Sequence, residues 1–354
     1  MNAPIPHAIR ELHLACGIAP KFILRADLAR DDTIWIETKR EGQRRWFRHD
    51  GDLAEVFPGD DPTLPLCAAL DIPSEEVELL AWRPGRRITL KLTCEDGFEI
   101  VKGLRKKRLK SVQAAFRRVH EALDGPSDFL VPMAEEAPDW CALRLGFLDL
   151  EPLAPAPRNE GAYQLVGRAL LSFQNKVSCQ GLKRHDFASE LEVLDNLSRR
   201  HERAMGNLPP SWAAAQERLQ ALALPPRAKF VAVHRDLHDG QLLTDGERVG
   251  LIDFDLLCSA SPLLDLANLS VHLMLRALQE SGRATLAAAE GCGRALLLGY
   301  GLGDSAEEHA ELRALQAATF QRLALLYSMR PKWRHITPTL IQYTERCLGE
   351  PRLS

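Results

Sequence analysis

The sequence predicts a two-lobed α+β fold, with an antiparallel β-rich N-terminal lobe carrying one helix and a mainly helical C-terminal lobe. Three observations lead there. Consecutive strand patterns joined by tight turns run from Val77 to Lys102. A Pro-rich stretch, Ala154-Pro-Ala-Pro157, then breaks the chain. Beyond it helical periodicity dominates, apart from one short β island between Phe230 and Leu257. The 354 residues, 45% of them hydrophobic, suffice for two lobes with a substantial core.

The elements follow in order. Thr33–Thr38 and Arg45–Arg48 flank Glu41-Gly42 as a hairpin. Pro and Asp crowd between Pro58 and Pro65 and mark a loop. Val77–Trp82, Ile88–Thr93 and Phe98–Lys102 form a meander, with turns at Arg83–Arg86 and Glu95–Gly97. Val112, Ala115, Phe116, Val119 and Leu123 share one face of a helix expected from Ser111 to Leu123, with Ser111 as N-cap. Phe129–Val131 and Trp140–Leu145 read as strands. Gly161–Val177, Ala188–Ala204, Trp212–Leu222 and most of Ser270–Leu348 read as helices.

Bulk properties exclude several classes. A formal net charge of −3 gives no general attraction to nucleic acid or to an anionic membrane. The basic run Lys102–Lys110, six charges in nine residues, reads as a solvated start of a helix, with Lys102 as its one candidate for facing a polyphosphate. No segment reaches ~18 uninterrupted apolar residues, so no membrane span is expected. The N-terminus lacks the pattern of a signal peptide. Eight cysteines are scattered without metal-ligand spacing, which points to a soluble cytoplasmic protein with its thiols mostly in the core.

The chemistry concentrates in Val231-Ala-Val-His-Arg-Asp-Leu-His-Asp-Gly-Gln-Leu-Leu243 and in Gly250-Leu-Ile-Asp-Phe-Asp255. Kinase catalytic loops read H-R-D-L-x-x-x-N and are followed by a D-F-G acid. His234-Arg235-Asp236-Leu237 matches the first four positions, Gln241 stands where Asn is expected, and Asp253 is the metal-site acid, with Asp255 in place of Gly. Phosphoryl transfer needs a carboxylate to orient a hydroxyl and accept its proton, for which Asp236 is the candidate. It also needs hard oxygen ligands for a divalent cation, which Gln241 and Asp253 offer. A hydrolytic metal site using His234 and His238 is disfavoured, because their spacing matches no zinc pattern.

This segment, continuing through Pro262-Leu-Leu-Asp265-Leu-Ala-Asn268, resembles the aminoglycoside phosphotransferase and choline-kinase-like group of the protein-kinase-like superfamily. The resemblance implies a kinase-like fold, with ATP and Mg²⁺ as cofactors and a small-molecule hydroxyl as acceptor. It places a phosphate-binding lysine at Lys102 and calls for a glutamate on the following helix as its partner; Glu121, the one acid on the expected helix, either fills that place or lies on a solvated face. It gives Asp265 the bracing of the catalytic loop, while His234 supports that loop structurally. Only a few residues separate Phe254 from Pro262, too few for the activation segment of a protein kinase. Two departures stand out: Gln241, and Arg83-Pro-Gly-Arg-Arg87 in place of a glycine-rich loop. Arg86 and its neighbour either touch phosphate or serve the turn. The alternative reading is a catalytically inactive kinase-like nucleotide-binding protein. The expected division is an extension over 1–75 packed on or part of the N-lobe, a nucleotide-binding lobe over 76–147, whose last residues begin the connection at Phe147–Leu153, and a helical lobe over 148–354. Oligomeric state and the particular acceptor leave no mark in the sequence.

Overall fold

The computed structural model describes residues 3–68, 76–95, 97–125, 129–222, 224, 229–279 and 285–349. Along the chain the first elements are α1 (Pro4–Cys16), β1 (Ile23–Leu28), β2 (Ile34–Arg40), β3 (Gln43–His49), β4 (Leu53–Val56) and α2 (Pro65–Ala68). Then come β5 (Val77–Arg83), β6 (Arg87–Cys94), β7 (Gly97–Leu104), α3 (Lys106–Ala122), β8 (Ala134–Ala137), β9 (Ala142–Gly146) and β10 (Glu151–Pro152). The later part holds α4 (Glu160–Lys176), β11 (Arg184–His185), α5 (Phe187–Met205), α6 (Pro210–Gln220), β12 (Val231–Val233), β13 (Leu242–Thr244), β14 (Val249–Leu251) and β15 (Cys258–Ala260). Four helices complete it: α7 (Leu264–Leu278), α8 (Leu286–Tyr300), α9 (Ala306–Ser328) and α10 (Thr337–Leu348).

These elements form two compact units. One comprises Met1–Val56, His185–Ala228 and Asp304–Ser354. Its sheet is an antiparallel meander, β1-β2-β3-β4. The β2–β3 hairpin turns at Glu41-Gly42, where both residues have positive φ (52° and 84°), the backbone of a two-residue turn matched to strand twist. Ile5, Ala8 and Leu12 of α1, Ile23, Ala26 and Leu28 of β1, Ile34 and Ile36 of β2 and Phe47 of β3 close one apolar core with Ala204 and Met329. Ion pairs rim this core, Asp27 with Arg200 at 3.1 Å and Asp32 with Arg203 at 2.5 Å. Glu11 on α1 meets His49 of β3 at 2.6 Å and His7 at 3.4 Å. In this unit α1 and β1–β4 group with α5, α9 and α10, because the apolar faces of α1 and β1–β3 are completed by residues from helices late in the chain.

The other unit comprises Phe57–Arg184 and Lys229–Gly303. Its five-stranded antiparallel sheet has the order β5-β6-β7-β9-β8. Leu109, Val112, Phe116 and Val119 form the buried face of α3. That helix starts five residues before the expected Ser111, whose hydroxyl bonds to the Arg108 carbonyl inside the first turns instead of capping the end. Arg105–Arg108 and Lys110 are exposed, as a solvated helix start requires. Phe129–Val131 contributes one bridge, Leu130 to Gly250, rather than a strand, and β8 replaces it in the sheet. Helices α4 and α8 approach so closely at Gly167 that a Cβ there would lie 2.2 Å from the Leu296 carbonyl oxygen. β12 pairs with β15, and β13 pairs with both β10 and β14, forming the predicted β island.

Only Cys67, Cys258 and Cys292 are buried, so the expectation of mostly core thiols does not hold. Among the described residues no helix is long and apolar enough to cross a membrane.

Candidate active site

The second unit brings together side chains from four separated segments. The first is β7, which is paired on both edges. Its Lys102 lies opposite Thr89 of β6 and Leu143 of β9, and its side chain is only 5% exposed. A buried ammonium is tolerated only against counter-charge. It finds two: Nζ donates to Asp253 Oδ1 at 2.8 Å and to Asp255 Oδ1 at 2.5 Å.

The second and third segments are the loop 234–241 and the turn 252–255, positioned by the β island. Val231–Val233 is wholly buried and ends at His234. The β13–β14 hairpin pairs Leu242 with Leu251, and the Ile252 N–H donates to the Gln241 carbonyl at 3.1 Å. That register sets the Gln241 side chain beside Asp253, with Nε2 3.5 Å from Oδ2. His234 Nε2 donates to the Ile252 carbonyl at 2.9 Å, tying the two loops together. Phe254 is fully buried against Phe116 of α3, Phe173 of α4 and the His234 ring.

The fourth segment is the first turn of α7. The Asp265 carboxylate accepts the His234 N–H at 2.7 Å and the Arg235 N–H at 2.8 Å. Asn268, one turn on, donates to the Arg235 carbonyl at 2.7 Å. Arg235 has φ of 70° and Asp253 has φ of 68°, both unusual for residues with side chains. Such strain persists where surrounding bonds over-determine it. Both peptide groups of Arg235 are held, which presents the next residue, Asp236. Asp236 is partly exposed, and its carboxylate makes no hydrogen bond to another described residue, so it is left open to a ligand. The far end of the loop is anchored by Arg276, whose Nε donates to Asp239 at 2.7 and 2.9 Å.

Electrostatics follow from this crowding. Burial works to raise the Asp253 carboxyl, but the Lys102 ammonium and Arg87 guanidinium overcome it and hold the group well below the usual carboxylate range. Burial opposes the charge on Arg87, and Asp253, Asp255 and Asp236 together raise its pKa further. All three acids therefore act on one guanidinium. Burial pushes the Asp265 carboxyl up, against the two amide donors and His234. Burial also lowers the His238 imidazole, against the pull of Asp236 and Asp239, and its Nδ1 accepts the Gly240 N–H at 3.0 Å.

Lys102, Asp253 and Gln241 thus meet, with Asp236 acting on the same guanidinium and His234 and Asp265 bracing the loops. Two expectations are corrected. Glu121 does not pair with Lys102: it sits in the last turn of α3, 69% exposed, 4.0 Å from Arg117. About four helical turns separate it from the start of α3. The lysine's second partner is Asp255 instead. Arg86 lies exposed in the β5–β6 turn, its N–H donating to the Arg83 carbonyl at 2.9 Å. The neighbouring Arg87, first residue of β6, is the one that reaches the acids, with Nη1 3.2 Å from Asp253 and 3.0 Å from Asp255. Strand alternation sends adjacent side chains to opposite faces, and only the register of β6 against β7 chooses between them. The signal for Asp255 was present: α3 carries no acid near Lys102, so its partner had to come from elsewhere.

Residues 104–315 match the model of the phosphotransferase enzyme family. The fold is similar to that of a choline/ethanolamine kinase family protein from Mesorhizobium loti (16% identity, 83% of this chain and 94% of that one, TM-score 0.52). It is similar to an amicoumacin kinase solved with AMP-PNP, Ca²⁺ and Ami (14% identity, 78% and 89%, TM-score 0.56). It is also similar to the aminoglycoside phosphotransferase APH(3'')-Id of Streptomyces rimosus (18% identity, 73% and 96%, TM-score 0.50). At such identities the likeness is one of fold. No curated protein sequence matches this chain.

Proposed function

The chain belongs to the phosphotransferase enzyme family, and from that premise we propose that it moves the γ-phosphoryl group of ATP to a hydroxyl oxygen of a small molecule. The observation that carries this reading is the meeting of Asp253, Asp255 and the field of Asp236 around Lys102 and Arg87. An amicoumacin kinase of the same fold, solved with AMP-PNP and Ca²⁺, supports a nucleotide used together with a divalent cation.

The donor set fits Mg²⁺. Asp253 supplies carboxylate oxygens kept ionised by their cationic neighbours, and Gln241, whose Nε2 faces Asp253, would supply its amide carbonyl on turning about its last side-chain bond. Two protein cations already stand on these acids, so the position favours positive charge. A bound Mg²⁺ would neutralise charge on the phosphate oxygens. Lys102, on a strand held at both edges, would hold the phosphates. Asp236 would orient the acceptor hydroxyl and take its proton as the oxygen bonds to phosphorus and the bond from the γ-phosphorus to the bridging oxygen breaks. ADP leaves with that electron pair. Asp265 and Asn268 act earlier, by fixing the backbone that aims Asp236. β15 and α7 follow Phe254 at once, leaving no segment for docking a polypeptide acceptor. In this reading residues 76–147 form the nucleotide lobe.

ADP release measured over a panel of hydroxylated metabolites with ATP and Mg²⁺ tests the proposal. We expect acceptor-dependent release, reduced about 10²- to 10⁴-fold in Asp236→Asn, the range for loss of a general base, with AMP-PNP binding retained. Release that survives unchanged in Asp236→Asn removes the catalytic role. Nucleotide binding without release for any acceptor favours an inactive binding module.

A further inference from the structure

The charges at 87, 102, 253 and 255 form a closed square. Lys102 contacts both acids, and Arg87 contacts both acids. Two positive and two negative charges balance, and the arrangement sits where a chain of this family lacks its glycine-rich loop. Arg87 uses only Nη1 for the acids. Its Nε and Nη2 make no hydrogen bond to another described residue, and a guanidinium with free donors matches phosphate oxygens in a fork.

We propose that Arg87 is a phosphate-binding residue taking over from the missing glycine-rich loop, and that the Arg87–Lys102–Asp253–Asp255 square couples metal binding to nucleotide binding. This rests on the phosphotransferase reading above. The physical reason is partner exchange. A divalent cation held by Asp253 and Gln241 beside Asp255 would displace the two protein cations, which would then face each other and the metal without counter-charge. A triphosphate on Arg87 and Lys102 strips the acids of theirs and adds negative charge beside them. Each ligand alone breaks the square and leaves like charges crowded. Both together complete every pair: carboxylates on the metal, phosphates on the two cations. Metal and nucleotide therefore tighten each other by the same factor, as linkage requires.

The square also predicts effects of opposite sign. Removing the Arg87 charge weakens the triphosphate but frees Asp253 and Asp255 for the metal. An arginine that merely held the β5–β6 turn would weaken both or neither. Arg108 donates from α3 to the Asp255 carbonyl at 2.9 Å, so the acid-bearing turn keeps an anchor when Arg87 is changed.

The test uses Mn²⁺, followed by its electron paramagnetic resonance, with AMP-PNP and AMP as nucleotides, on the full chain, on Arg87→Gln and on Arg87→Lys. In the unaltered protein AMP-PNP should tighten Mn²⁺ by a factor within the usual range of coupling, about 5- to 150-fold. Arg87→Gln should bind Mn²⁺ alone more tightly and AMP-PNP at least about tenfold more weakly, the scale of losing one charge-assisted contact. AMP, which lacks the outer phosphates, should change little. Arg87→Lys, which keeps the charge without the fork, should fall between. The proposal is overturned if Arg87→Gln and Arg87→Lys both leave AMP-PNP affinity intact, or if Mn²⁺ and AMP-PNP weaken together. Should the unaltered protein bind neither probe, the phosphotransferase reading itself falls; should it bind both while the variants behave alike, only Arg87 loses its role.

Discussion

Two antiparallel sheets, one in each unit, meet the same problem of covering a face, and they differ in what they bury. The β1–β4 sheet buries Ile23, Ile36 and Phe47 against α1 and keeps its charges on the rim, where Asp32 pairs with Arg203. The β5–β9 sheet buries Lys102 and holds two acids against it, beside backbone at positive φ. Apolar burial is favourable wherever it occurs. A buried ion square has to overcome desolvation and is weak evidence for stability. The first sheet therefore accounts for cohesion, and the second carries polar and conformational cost that a ligand can relieve.

Substitutions can break or sharpen this contrast. The largest stability effect is expected in the first sheet. Phe47→Ala empties a site 1% exposed and should cost about 3–5 kcal/mol. Urea unfolding measures it, and AMP-PNP affinity below the transition should stay within about twofold; a large change there would end the division of labour drawn here. Asp265→Ala, in the second unit, leaves the buried His234 and Arg235 N–H groups without acceptor, at about 1–3 kcal/mol each. Turnover per folded molecule should fall too, because Arg235 then relaxes, and Asp265→Asn, which keeps one acceptor, should lie between. If Asp265→Ala unfolds the chain, Asn268→Ala gives a milder test of the same support through the Arg235 carbonyl. Gly167→Ala places a methyl 2.2 Å from the Leu296 oxygen and 2.5 Å from the Tyr300 nitrogen, both backbone atoms that must move. It should destabilise by about 1–3 kcal/mol, the usual cost of overpacking, without altering the acid square.

The smallest effect concerns pH. Burial, with Arg334 adding to it, holds the His201 imidazole of the first unit below its ordinary value of 6.5. The folded state resists protonation that the unfolded chain accepts, so this contribution is complete above about pH 6.5 and is lost as pH falls through the folded pKa. Melting temperature followed from pH 7.5 to 5.5, a range of about two units chosen to span an ordinary histidine, should fall less steeply in His201→Asn. An unchanged slope would assign the acid loss to other groups.

The hairpin at Glu41-Gly42, the meander to Lys102 and the helices past Pro157 were legible because each rests on local periodicity or a turn dipeptide. Asp236, Gln241, Asp253 and Asp265 stand out as candidates, since one short motif and its sequel carry them, and the structure sets Gln241 beside Asp253. Leucines and valines around that motif fall in buried strands that leave few choices for the loop between them. Glu121 and Arg86 failed for a shared reason. Nearness in sequence to a strand end or helix points to each, whereas pairing across the site depends on helix length and strand register. The helix α1 also escaped notice, because its apolar positions acquire meaning only against strands and helices far along the chain.

By itself, then, the sequence determined the family and the mixed α/β fold class and singled out the acids that the proposed chemistry uses, because all are written in residues close together in the chain. Tertiary structure alone decided which arginine faces the acids, which carboxylate answers Lys102 and what the N-terminal strands pack against. Those outcomes depend on register and on contacts between residues 150 or more positions apart, where packing geometry selects among charges that the chain offers in excess.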